Sequence, residues 1–286
     1  SGGHYFPEPL LPRAAELVHS DKYIPLQDLS EDFYNEQHEI AYLEAGALVA
    51  HLSHRFGWQT VWKTYLAMSP GKDETQAQAI ERALQTELGI SFQELEADFV
   101  SELKATAQNR LYTLDIQTLE MYYETLRAYQ QLLDPSAYYR TAWMLDAQQM
   151  RQKGIVADYL RHPSRAENLA LELLLNEAGR ARRFADYAHA ERILGEVSIV
   201  LDRIQAQHPH PFSGHLRAQT AWEVVQALLA AGYEPQVWSL SDNQAKVLVT
   251  QGTPTLKQLI LECQNDGWQI ISGTSAAADD LIYGAQ

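Results

Sequence analysis

Apolar side chains recur at spacings of three and four along most of the chain and switch to alternation only near its C-terminal end, which predicts helices first and a small sheet last. Residues 4–30 break the helical rhythm with Pro7, Pro9, Pro12 and Pro25, so one short helix around Arg13–His19 is expected there. A longer helix is predicted from Glu31, capped by Ser30, with Ala41, Leu48, Leu52 and Phe56 on one stripe and Gly57 at its end. Val61, Trp62, Tyr65 and Leu66 mark a shorter helix closed by Pro70-Gly71. Asp73 is the expected cap of the next one, whose apolar positions Ala77, Ile80, Leu84 and Leu88 precede Gly89. Ser91-Phe92-Gln93-Glu94 has the form of a capping box, and Leu95, Phe99 and Leu103 continue the stripe to about Gln108. Residues 31–108 therefore read as four amphipathic helices with short connections, a compact helical subdomain.

Two further helices are expected over 115–153, separated by Asp134-Pro135 and rich in tyrosine (Tyr122, Tyr123, Tyr129, Tyr138, Tyr139). His162-Pro163-Ser164 should open a helix that is apolar around most of its girth, with Leu169, Leu171, Leu173, Leu174 and Leu175, and hence buried. After Gly179 and the basic turn Arg180, Arg182 and Arg183, a long helix runs to about Gln205 with Ala190, Ile193, Leu194, Val197, Val200, Leu201 and Ile204 on its apolar face. No second copy of this pair follows at a fixed period, so a solenoid is not supported. His208-Pro209-His210-Pro211 marks a change of composition, and a helix at about 214–231 carries Trp222, Val225 and Leu229. Strand-like runs follow at Val237–Leu240, Ala245–Val249, Leu259–Leu261 and Trp268–Ile271, with turns at Asp242-Asn243, Gly252 and Asn265-Asp266-Gly267. This strand rhythm resembles cystatin-like or nuclear-transport-factor-like accessory modules.

The fold class expected is mainly α with a small C-terminal α+β part: a helical bundle subdomain, helical hairpins, and three or four antiparallel strands packed on a helix. The regions are 4–110, 111–207 and 208–286. Length and charge narrow the function. The 286 residues suffice for one large or a few small domains, and 22 basic against 37 acidic residues leave a formal charge of −15. That excess repels phosphate backbones and argues against nucleic acid as a partner. No apolar run reaches the roughly 18 residues of a membrane span. A single cysteine, Cys263, rules out an internal disulfide and a multi-thiolate zinc site. Lying in a strand-like run, it reads as a small core side chain.

Candidate chemistry is sparse. The chain has no His-Glu-x-x-His helix, no glycine-rich phosphate loop and no Gly-x-Ser-x-Gly elbow. His38-Glu39 begins like a zinc helix, but Tyr42 stands where the second histidine belongs, and a phenol of pKa about 10 is a poor zinc ligand. His51 and His54, one helical turn apart, form half of a metal site with no identifiable partners; packing or surface roles are the plainer reading. His208, His210 and His215 read as solvated loop residues beside prolines.

The segment Ala41-Tyr42-Leu43-Glu44-Ala45-Gly46-Ala47-Leu48-Val49-Ala50-His51-Leu52-Ser53-His54-Arg55-Phe56-Gly57 resembles the C-terminal helical part of gluzincin peptidases, the aminopeptidase-N-like enzymes and the broader peptidase MA-like group. In that family a tyrosine opens a helix of small and apolar residues that a glycine ends, here Tyr42 and Gly57. The likeness continues through Trp58–Met68, the Asp73–Leu88 helix and Leu88-Gly89-Ile90-Ser91-Phe92-Gln93-Glu94-Leu95-Glu96-Ala97-Asp98-Phe99, and the loop Ile24-Pro25-Leu26-Gln27-Asp28-Leu29 suits the preceding region. It covers about residues 10–105, slightly over a third of the chain.

The resemblance implies a role for Tyr42, donating a hydrogen bond to the oxyanion formed when water attacks a peptide carbonyl; the alternative is a tyrosine that packs in the bundle. It also implies an absence. The zinc helix and third zinc ligand of gluzincins lie upstream of the matched region, so zinc is expected only with upstream residues, and this chain alone should not hydrolyse peptides. Ser1-Gly2-Gly3 reads as the remainder of a removed tag, so either the chain starts just past the metal site of a longer product or it is a remnant that lost it. Related proteins lean toward an extracytoplasmic location, with peptides or proteins as partners. The competing function is a non-enzymatic interaction scaffold using aromatics of 112–143 and the basic turn at 180–183; a ligand pocket in the C-terminal sheet is a third option.

Overall fold

The computed structural model describes residues 9–33, 38–133, 165–241, 243–252, 255–265 and 267–275. Among them the chain is mainly helical, with a C-terminal four-stranded antiparallel sheet, and it divides into two compact units, Ser1–Leu119 and Glu120–Gln286.

In unit one, α1 (Leu10–His19) follows Pro9, and Pro12 falls in its first turn, where a missing N–H costs nothing. Five consecutive residues, Arg13 to Leu17, are buried. Helix α2 (Leu26–Asp32) corrects the expected start at Glu31: Pro25 precedes its first turn, and Ser30, inside the helix, turns its hydroxyl back onto the Gln27 carbonyl at 2.8 Å instead of capping. The long helix is α3 (His38–Phe56). Gly57, at φ +79°, separates it from α4 (Trp58–Ala67) in a backbone conformation that a side chain would resist.

Helix α5 (Gln76–Leu88) is capped by Thr75, not Asp73. The Thr75 hydroxyl accepts from the Gln78 N–H at 3.2 Å while Gln78 Oε1 accepts from the Thr75 N–H at 2.9 Å. This reciprocal box prevails over a lone aspartate two residues earlier. Its buried positions are Ala79, Ala83 and Leu84, a register turned from the Ala77–Ile80 stripe. Gly89 adopts the left-handed cap, and Ser91 with Glu94 forms the expected box before α6 (Phe92–Ala105), where Leu95, Phe99 and Leu103 are buried. Both hydrogen bonds from Ser91 hold the Glu94 carboxyl below its ordinary range. Helix α7 (Arg110–Leu132) closes unit one with its first turns and enters unit two beyond Leu119.

In unit two, α8 (Ala166–Arg183) is buried nearly all round from Asn168 to Ala181. Its cap position is Arg165, without a side-chain bond; the predicted opening at 162–164, the helix after Asp134-Pro135, and Tyr138 and Tyr139 lie outside the described residues. Asp186 caps α9 (Tyr187–Gln205), which packs on α8, as does α10 (Leu216–Ala230). The His-Pro stretch between α9 and α10 is anchored: Phe212 is buried and stacks on Trp222 at 4.9 Å, and Arg203 donates to the Pro211 and Ser213 carbonyls.

Strands β1 (Glu234–Ser241), β2 (Gln244–Thr250), β3 (Lys257–Gln264) and β4 (Gly267–Ser275) form a meander in the order β1-β2-β3-β4. Trp238, Val247 and Leu259 pair in register across it and are buried. Opposite Leu259 stands Gly273, where a Cβ would sit 2.7 Å from Leu259 Cδ2; the missing side chain makes room for the leucine. The outer edge of β1 is blunted, since Asn176 donates to the Gln236 carbonyl at 3.2 Å and Arg180 donates to that of Trp238. Cys263 is exposed, contrary to the core role expected of it. It keeps the alternation of Leu259 and Leu261, but near the end of β3, past the point where that face is covered.

Candidate functional site

Of the residues singled out by sequence, His51 lies between α3 and α6. Glu44, His51 and Arg55 recur on α3 at intervals of seven and four; Asp98 and Glu102 stand one turn apart on α6. His51 is buried, with its ring 5.4 Å from the Phe99 ring. Its Nδ1 bonds Glu102, and its Nε2 lies 3.2 Å from Asp98 Oδ2, close enough for an ion pair but out of line for a hydrogen bond. Asp98 also pairs with Arg55. One turn from His51, His54 is exposed, so the two histidines do not share a centre. The His51 ring is engaged by two carboxylates, whose own side chains are 43% and 37% exposed, and acts as a bolt between α3 and α6.

Toward the N-terminal end of the seam, Glu44 is fully buried and accepts from the Ile24 N–H at 3.0 Å. Glu96 Oε1 accepts from the Leu26 N–H at 2.8 Å and from the Tyr23 hydroxyl at 3.2 Å. Burial, and then the nearby Glu44 and Glu96 carboxylates, push the Tyr23 phenol well above its ordinary value, so it stays a donor. These carboxylates tie the loop before α2 to the helical pair; nothing in local sequence marks them, since their partners are 20 and 70–73 residues away.

Tyr42 lies in the second turn of α3, half-buried, with its ring edge-on to Phe33 at 4.9 Å and 82°. The side chains of His38 and Glu39 lie outside the described residues. Among the described residues no three His, Cys, Asp or Glu side chains converge as a metal ligand set.

The aromatic surface expected in 112–143 is largely interior where described: Tyr123 and Tyr129 are buried, Tyr129 donating to Glu172 at 2.8 Å, and Tyr122 packs against Gly179. Arg180 of the basic turn likewise folds inward, and burial lowers its pKa. An exposed aromatic face occurs on α4 instead. Trp58, Trp62 and Tyr65 stack in sequence at 6.3 and 5.6 Å, with exposures of 60, 49 and 62%, and Leu66 is open beside them. Trp62, Tyr65 and Leu66 were legible as apolar positions of a short helix; that they face outward, and that Trp58 joins them, was not.

No family model, curated protein or solved structure matches the chain. No helix among the described residues is long and apolar enough to cross a membrane.

Proposed function

We propose that residues 4–110 are the C-terminal helical subdomain of a gluzincin-type, peptidase MA-like protein, without catalytic competence as this chain alone. The observation that supports this reading most is the position of Tyr42. It stands near the start of the long helix that Gly57 ends, half-buried, with its ring edge-on to Phe33. A phenol so placed keeps its proton at neutral pH and can donate to a developing oxyanion. No metal ligand set for the activated water is present among the described residues, and on this reading the role of Tyr42 is conditional on ligands supplied upstream.

The test is the full translated gene product. Zinc bound at one equivalent, with peptide hydrolysis that falls about a hundredfold or more in Tyr42→Phe, supports the reading; that is the scale of one lost oxyanion donor. Zinc-dependent hydrolysis unchanged by Tyr42→Phe, or a product without an upstream zinc helix, overturns it.

The α4 face supports a second reading, a non-enzymatic interaction scaffold. Three exposed stacked rings and a leucine on one helical face make an unusually apolar patch, and tryptophan and tyrosine dominate interface hot spots. Self-association that Trp62→Ser abolishes in sedimentation would favour it; a monomer that binds no peptide would count against it.

A further inference from the structure

Between α9, the first turns of α10 and the end of β1, unit two holds a cleft of about 610 Å³, within the roughly 300–1,000 Å³ typical of small-molecule sites. Most of the charge around it is matched. Glu177, buried behind the lining, accepts from Arg217 through both Nε, at 3.1 Å, and Nη2, and from His189 Nε2 at 3.0 Å. Glu196 accepts from the Ala218 N–H at 2.8 Å in the first turn of α10.

Arg192 is different. Its Nη2 donates to His189 Nδ1 at 3.0 Å and its Nε to the Ala188 carbonyl at 3.4 Å, both neutral acceptors. Accepting at Nδ1 assigns the His189 proton to Nε2, the atom that donates to Glu177. No carboxylate among the described residues lies within ion-pair distance of Arg192, so its guanidinium is held by neutral acceptors alone. The opposite character is also open to solvent. Leu216, the first residue of α10, is 84% exposed, Ile199 is 39% exposed, and Leu240 lines the same cleft.

We infer that this cleft binds an amphipathic monocarboxylate, its carboxylate on Arg192 and its hydrocarbon chain across Leu216, Ile199 and Leu240. A guanidinium fork matches a carboxylate in shape and charge. Glu191 and Glu196 on the same lining repel anions, a doubly charged one most, which disfavours phosphate relative to a single carboxylate on the Arg192 fork. The apolar wall supplies the affinity that a single exposed ion pair lacks.

Calorimetric titration of the full chain with octanoate, 1-octanol and inorganic phosphate tests this. Octanoate should saturate at one equivalent, with 1-octanol and phosphate each about tenfold weaker or more, the scale of one charge-assisted hydrogen bond. Arg192→Gln should weaken octanoate about tenfold and leave 1-octanol unchanged, and Leu216→Ser should weaken octanoate severalfold. Both side chains are exposed, so both variants retain the fold, as circular dichroism can verify. The inference is overturned if octanoate does not saturate, if either variant binds it as the parent does, or if phosphate or 1-octanol binds as tightly.

Discussion

Glu16 is a carboxylate with 0% exposure in the middle of a ten-residue helix, and its removal should be among the most damaging single changes in unit one. Oε1 accepts from the Asn109 N–H at 2.7 Å and Oε2 from the Thr113 hydroxyl at 2.8 Å. Asn109 immediately precedes α7, and its own side chain accepts from the Leu111 N–H. Glu16 therefore places negative charge at the start of a 23-residue helix, where backbone N–H groups lack partners within the helix. Beside it, Arg13 and Asp115 form a second buried link between α1 and α7. Two hydrogen bonds to a charged acceptor at about 1.5–3 kcal/mol each set an upper bound of roughly 6 kcal/mol. Desolvation of the carboxylate offsets part of that, so Glu16→Ala should cost about 3–4 kcal/mol.

Two further variants separate hydrogen bonding from packing. Glu16→Gln keeps an acceptor for the Asn109 N–H and should cost about 1–2 kcal/mol, whereas Glu16→Met keeps the volume but strands both donors and should cost about 2–4 kcal/mol. Because the chain divides into two units, a single unfolding midpoint is not a two-state quantity. The appropriate readout is urea unfolding by circular dichroism combined with hydrogen exchange at the Asn109 amide, which should lose protection in the Ala and Met variants. At about 4 °C per kcal/mol for a unit of this size, the Ala variant should melt roughly 12–16 °C lower. A Glu16→Met protein within about 0.5 kcal/mol of the parent, or a Gln variant as damaged as Ala, would refute the reasoning.

Tyr23 has a folded pKa raised above its ordinary 10.0, so its stabilising contribution is complete below that value and is lost as pH climbs through the folded pKa. Unit one should unfold in alkali with phenolate absorbance appearing at unfolding, and Tyr23→Phe should move that transition to higher pH. Gly179 is crowded, since a Cβ there would lie 3.1 Å from the Tyr122 hydroxyl and 3.3 Å from its ring. Gly179→Ala should therefore cost about 1–3 kcal/mol in thermal unfolding, despite the better helix propensity of alanine; a stabilised variant would show that α7 yields freely.

Helix punctuation was readable from sequence alone. Gly57, Gly89 and the Ser91–Glu94 box work through backbone dihedrals and hydrogen bonds spanning a few residues, so their meaning travels with the local segment. The all-round leucines of α8 and the alternation in β1–β4 likewise announced a buried helix and a meander. Errors occurred where two local signals competed, as at Asp73 and Thr75, or where Pro25 initiated a helix that periodicity had assigned further on.

Tertiary structure alone decided the rest. Periodicity shows that a face is apolar but not whether another element covers it, which is why Trp62 and Tyr65 turned outward and Cys263 stayed exposed on an in-phase strand position. Glu16, His51 and Arg192 look alike in sequence, as polar residues on helices. Glu16 meets α7 from 93 residues away, His51 is held by α6 from 51 residues away, and Arg192 is left with neutral acceptors facing a cleft. Charge acquires function from what it is packed against, and that distance along the chain carries no local trace.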